Sequence, residues 1–394
     1  MRAFRVELVG HGWGEWRGAW RGRRCLLSRG GDWYLEEDGR ESGRWRSLSE
    51  ALQFLWPERR VRGRLPWAIG WIGYEEAARL SGGLPYRDGA DLAPAAWLLL
   101  EPDEAAPTSD QKTDRRRWSG VARWSLDADA YRRGVEAIRR RIGAGDVYQV
   151  NLCRRMTVDG FAGSLQPFAD VASNGRVPDY LAHVDLGDGE LLCASMEMLL
   201  RRRGEELETR PIKGTRPRGD SPEDDQRLAA ELDADAKERA ELAMVVDLER
   251  NDLGRICEVG SVEVIDPGSV EAYAAVHHRV AQVTGRVRSE LGWWEVVASM
   301  APGGSVTGCP KHAAMTLIRE LEPVQRGPFT GALGVVAGNG DLEMALPIRT
   351  AWRFGSILEF AAGCGIVWQS DPEAEERESR LKIARWLGLL GVAE

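Results

Sequence analysis

Apolar positions recur at helical spacing over Asp127–Ile142, and the run closes on Gly143–Gly145, so an amphipathic helix is expected there. Val147–Met156 and Glu190–Leu200 instead carry apolar residues in short runs, which read as strands. The same reading gives strands at Gly331–Ala337 and Ile357–Val367, a long helix over Pro222–Leu253 and a last helix over Pro372–Leu390. Pro66–Glu75 reads as a strand bent at its glycines. Hairpin-like strands and separate helices occur without strict strand–helix alternation, which predicts an α+β fold rather than a parallel sheet. Glu101–Arg117 is polar without an apolar period and is the clearest linker. It divides an N-terminal region, 1–117, from a region 118–394, the two expected to form one compact unit.

Composition narrows the classes. A chain of 394 residues with 43% apolar content can bury a large core, and 29% charged residues is ordinary for a soluble protein. The net charge of −8 argues against a general nucleic-acid surface. The arginine runs Arg115–Arg117, Arg139–Arg141 and Arg201–Arg203 read as solvated faces. No apolar run is long enough to span a bilayer, and Met1–Arg5 lacks the apolar core of a signal peptide, so a cytoplasmic location is expected. The six cysteines are scattered with no CxxC pair, which favours buried free thiols over disulfides or a thiolate metal site. The 16 tryptophans read as packing residues.

Lysine is rare here: Lys112, Lys213, Lys237, Lys311 and Lys382 are the only ones among 53 basic residues. Lys213 stands in Pro211-Ile-Lys-Gly-Thr-Arg-Pro-Arg218, a segment punctuated by Pro and Gly and read as a turn. Unlike arginine, a lysine can lose its proton and act as a nucleophile, although a solvent-exposed turn lysine is the commoner case. Glu238 and Glu241 are three apart on an expected helix and share a face; Glu375 and Glu378 repeat the pattern on the last helix. Either pair alone reads as a solvated face. Brought together, the two would repel unless a divalent cation lay between them, and an all-oxygen set suits Mg²⁺.

Five segments, in order, closely resemble the chorismate-utilising enzymes. They are Pro211–Arg218, Val246-Asp-Leu-Glu-Arg-Asn-Asp-Leu-Gly-Arg255, Pro302-Gly-Gly-Ser-Val-Thr-Gly-Cys-Pro-Lys311, Ile348–Thr350 and Ala361-Ala-Gly-Cys-Gly-Ile366. The resemblance is dense from about Asp146 to Leu389 and thin before Trp124, apart from the Gly70–Glu75 patch. It implies two orthogonally packed sheets flanked by helices. Within the family, a lysine in this segment is similar to the members that aminate chorismate at C4, whereas anthranilate synthases carry a small residue. The resemblance thus implies attack by Lys213 on C2 as the 4-hydroxyl leaves, then entry of ammonia at C4 with displacement of the lysine. Glu197, in Ser195-Met-Glu, would be the general acid for the departing hydroxyl, and His278 would lie near the ring. Glu241 and Glu378 would ligate Mg²⁺ directly, with Glu238 and Glu375 acting through water. Arg349, Gly363 and Gly365 would hold the enolpyruvyl carboxylate; Thr307, Gly308, Gly214 and Thr215 would line the pocket, and Lys311 would be a further anion contact. Ammonia would come from a separate glutamine amidotransferase subunit. Gln149 stands where isochorismate synthases carry a lysine base, which disfavours that branch.

Three residues depart from the family pattern. Met196 replaces a proline, Phe329 a Tyr or Trp, and Ala313 an arginine. The Phe329 exchange removes a hydrogen-bond donor from the expected pocket. Two alternatives stay open: an anthranilate synthase component I, and a catalytically silent subunit that binds chorismate or the amidotransferase.

Overall fold

The computed structural model describes residues 4–29, 32–38, 40–55, 63–81, 95–100, 105–106, 122–161, 163–165, 177–273 and 276–390. Two large antiparallel sheets form its framework, one of 10 and one of 12 strands. Between them lies a shared apolar layer. Phe4, Val6, Cys153, Tyr180 and Val184 of the first sheet pack there with Ile69, Trp71, Leu98 and Leu333 of the second. The outer face of the first sheet is covered by the helices Ala128–Gly143, Lys311–Leu321 and Pro372–Leu390. The helices Ala236–Gly254 and Trp293–Met300 cover the second. This is the α+β arrangement expected of sheets that each bury both faces. Among the described residues, no helix is long and apolar enough to cross a membrane.

The N-terminal strands belong to both sheets. Phe4–Val9 pairs with Tyr180–Asp185 in the first, and Pro66–Ile72 pairs with Ala332–Ala337 in the second. Most of the Glu101–Arg117 linker lies outside the described residues, but Ala105–Ala106 form a short strand against Ala19–Trp20. The expected Pro66–Glu75 strand stops at Ile72, and a helix starts at Tyr74. Glu75 turns back to accept the Arg326 and Gly327 backbone N–H groups.

Local chemistry sets several boundaries. The Asp127 side chain accepts the Ala130 N–H at 2.7 Å and so starts the helix Ala128–Gly143. The long helix expected over Pro222–Leu253 is two helices, Pro222–Ala234 and Ala236–Gly254. Asp235 breaks it: its backbone is extended, and its carboxylate accepts the Lys237 and Glu238 N–H groups at 3.0 and 3.2 Å. The expected strand Glu190–Leu200 is also two, Gly189–Ser195 in the first sheet and Met198–Arg203 in the second. The chain crosses between sheets at Met196–Glu197.

The Arg201–Arg203 run is not a solvated face. Arg201 and Arg203 converge on the fully buried Glu343 at 2.7 and 3.0 Å, and Tyr180 donates to the same carboxylate. All six cysteines are free, and all but Cys309 are buried.

Candidate functional site

A cavity of about 420 Å³ opens where the crossing at Glu197, the edge strand Ile212–Pro217 and the two glutamate-bearing helices meet. Of the sixteen site residues expected from sequence, thirteen line it; Thr307, Gly308 and Lys311 do not.

Lys213 is on a strand, not in a turn. Ile212–Pro217 pairs with Val276–Arg286, and the register slips between Lys213 and Thr215. Gly214 makes that bulge, at φ +76°, where a side chain is strained. An added Cβ there would also lie 2.8 Å from Leu232 and 3.2 Å from Glu238. The bulge and its close approach to the glutamate helix both need glycine. Gly365 serves differently: a Cβ would sit 2.7 Å from the Gln149 amide nitrogen and 3.7 Å from Lys213 Nζ. Its bare backbone keeps the space beside the amine open.

Glu197 is buried, and burial pushes its carboxyl up to about 7. That outweighs a hydrogen bond from Ser305, the charge of Lys213 and a hydrogen bond with the Ile212 backbone. A carboxyl in this range holds a proton at neutral pH often enough to donate one. Ser305 joins acid and amine. Its hydroxyl donates to Glu197 Oε1 at 2.8 Å, and its carbonyl lies 3.5 Å from Lys213 Nζ. Sequence reasoning did not single out Ser305 within Pro302–Lys311; only the fold brings it to residues 92 and 108 positions away.

His278 lies on the neighbouring strand. Its Nδ1 is 2.9 Å from the Thr215 hydroxyl and 3.3 Å from the Gly214 carbonyl. Burial lowers the imidazole to about 4, so it is neutral at physiological pH and supplies no cationic acid. Its Nε2 is buried with no protein partner. Arg349 sits on the link into the strand Thr350–Phe354 with φ +50°, and its carbonyl accepts the Ala194 N–H. Thr330, next to Phe329, has φ +63°. Such backbone strain in non-glycine residues clusters at functional sites. Phe329 lines the cavity and also packs into the layer between the sheets, where a hydroxyl is not required.

At the other end, Glu238 and Glu241 from one helix face Glu375 and Glu378 from another. Burial and then the charge of Glu241 raise Glu238; burial raises Glu375, with Glu378 adding to it. Burial would raise Glu378, but Lys382, 2.8 Å away, together with Cys364 and Lys237 lowers it. Lys237 lies 3.6 Å from Glu241. The ligand atoms of Cys364, Glu375 and Glu378 lie within 4.8 Å of one another. Four carboxylates on one cavity wall, two of them raised partly by their neighbours, suit a hard divalent cation. Lys382, also missed from sequence, donates to the Gly363 carbonyl at 2.8 Å.

The three absent residues have other partners. Lys311 pairs with the buried Asp252 and does not line the cavity. Thr307 turns its hydroxyl to the Gly303 carbonyl, and its own carbonyl accepts the Asn151 N–H. Gly308 pairs with Val150 behind the wall. Both brace the strand beneath the site.

A family model described as chorismate binding enzyme matches residues 26–388. Anthranilate synthase component 1 1 of Haloarcula marismortui is 33% identical, over 88% of this chain and 80% of its own length. Aminodeoxychorismate synthase component 1 of Bacillus subtilis is 40% identical, over 64% of this chain and 53% of its own length. Among solved structures, anthranilate synthase component I from Streptococcus pneumoniae superposes with a TM-score of 0.75 at 25% identity, covering 98% of this chain and 92% of that one.

Proposed function

Because the chain belongs to the family of chorismate-binding enzymes, we propose that it aminates chorismate at C4 to give 4-amino-4-deoxychorismate. One observation carries the reading: Lys213 and the proton-bearing Glu197 meet on one residue, Ser305, inside a cavity lined by the four glutamates. Only the unprotonated amine has a lone pair with which to attack C2. As the Lys213 nitrogen bonds to C2, the ring double bonds shift and the C4–oxygen bond breaks. Glu197 gives its proton to that oxygen, which leaves as water. With C2 blocked, ammonia bonds to C4, the double bonds shift back and the lysine leaves with its electron pair.

The glutamates would hold Mg²⁺, which when bound would neutralise and orient the ring carboxylate. Arg349 would take the enolpyruvyl carboxylate, with the backbone at Gly363 and Gly365 approaching closely. Neutral His278 offers Nε2 as an acceptor for a substrate hydroxyl. Ammonia would come from a glutamine amidotransferase subunit; the component numbering of the relatives supports a two-part enzyme.

A second reading, amination at C2 as in an anthranilate synthase, has the names of several relatives in its favour. Trapping separates the two. With chorismate and Mg²⁺ but no ammonium, intact-protein mass spectrometry should show an adduct of chorismate less water, mapped to Lys213. An adduct that persists in Lys213→Ala, or none in the active enzyme, contradicts the covalent route.

A further inference from the structure

Glu249 is a buried acid that the proposed reaction leaves unused. It lies on the helix Ala236–Gly254 and is 3% exposed. Its Oε1 accepts the Gly304 N–H at 3.1 Å, and its Oε2 is buried with no protein partner. Gly304 begins the short turn Gly304–Val306, and its neighbour Ser305 holds both Glu197 and Lys213. Leu248 packs beneath: a Cβ on Gly304 would lie 2.7 Å from its methyl group and 3.0 Å from Glu249 Oε1. The turn is thus seated on this carboxyl with no slack.

We infer that Glu249 is a positioning residue for the reaction proposed above: by accepting the Gly304 N–H it fixes the turn that presents Ser305 to Glu197 and Lys213. The charged and titratable groups around it are Asp252 on its own helix, Lys311 at the start of the helix Lys311–Leu321 and Glu197 across the turn. Burial, reinforced by Asp252, pushes the Glu249 carboxyl up, which favours the neutral acid with a carbonyl oxygen toward Gly304. Glutamine can reproduce that acceptor; methionine has similar length and no comparable acceptor.

The test compares Glu249→Met with Glu249→Gln. The Ser305 hydrogen bond holds Glu197 down against burial. If the turn shifts, that bond is lost, and the Glu197 carboxyl should titrate at higher pH. Glu249→Met should therefore move the alkaline limb of the pH–rate profile upward and lower kcat by ~10-fold or more, with KM for chorismate changed far less. Glu249→Gln should restore both. A loosened core would lower yield or thermal stability without moving the limb. Carboxyl-stretch infrared titration, with Glu197→Gln to assign the band, reads the same shift without turnover. Should Glu249→Met not fold, Glu249→Ala carries the comparison. An unmoved Glu197 titration in the folded Met or Ala variant overturns the inference. So does a Gln variant that behaves like Met. The inference rests on the chorismate reading, but wild-type protein that consumes no chorismate would end that reading alone, leaving the infrared result to decide this one.

Discussion

Replacing Glu197 by glutamine should cost activity and gain stability, and the gain should depend on pH in a calculable way. In the unfolded chain this carboxyl titrates near the ordinary glutamate value of 4.5; in the fold it titrates at about 7. Between those values the native state holds a proton that the unfolded state has released. Stability therefore falls as pH rises through this window, and the loss is complete above about pH 7. A displacement of roughly 2.5 units at about 1.36 kcal/mol each makes the penalty ~3 kcal/mol. Glu197 is 6% exposed, so solvent screening removes little of it. Glutamine has no charge to bury and escapes the penalty, but it disturbs the hydrogen bonds with Ser305 and Ile212 by an amount that does not vary with pH. Urea unfolding of both proteins at about pH 4.5 and pH 8 isolates the variable part. The Gln variant should gain ~3 kcal/mol relative to wild type between the two pH values. Its kcat should fall by ~10²–10⁴-fold and lose the wild-type limb near neutral pH. Equal stability differences at both pH values would refute the raised acid, and an intact limb would refute its role.

Arg154 offers a test of how the last helix is held. Its side chain is fully buried, stacks on Trp124 and Tyr131, and binds Glu376 at 2.9 Å, one residue from Glu375. Arg154→Met should leave Glu376 to Arg380, 3.0 Å away, and lower unfolding stability by ~1–3 kcal/mol, measured in denaturant. Chelation with EDTA should stop chorismate consumption and Mg²⁺ should restore it, while Glu378→Ala should raise the Mg²⁺ concentration for half-maximal rate by ~10-fold or more. Lys213→Arg should be inactive in C4 amination, because a guanidinium stays protonated; a rate within about tenfold of wild type would contradict the nucleophile.

The candidate site was legible because its residues sit in short segments with distinctive chemistry: a lone lysine among arginines, and glutamates three apart. Element type was legible where period and cap agreed, as at Asp127. The differences have separate causes. Gly214 makes a bulge rather than the expected turn, since a glycine inside a strand and one between strands look alike in sequence. The break at Asp235 had a local signal, Asp235-Ala-Lys-Glu238, which has the spacing of a capping box within an otherwise helical run. The crossing at Met196–Glu197 had none, because both flanks are apolar strands and only sheet membership separates them. Lys311, Ser305 and Glu249 depend on partners 55 to 108 positions away, set by packing rather than by pattern.

The central claim is the position of amination, and a product assay tests it most directly. Purified protein would be given chorismate, Mg²⁺ and ammonium, with and without an aminodeoxychorismate lyase. The account predicts 4-aminobenzoate only when the lyase is present. Anthranilate formed without the lyase would contradict it and leave Lys213 without the role proposed for it.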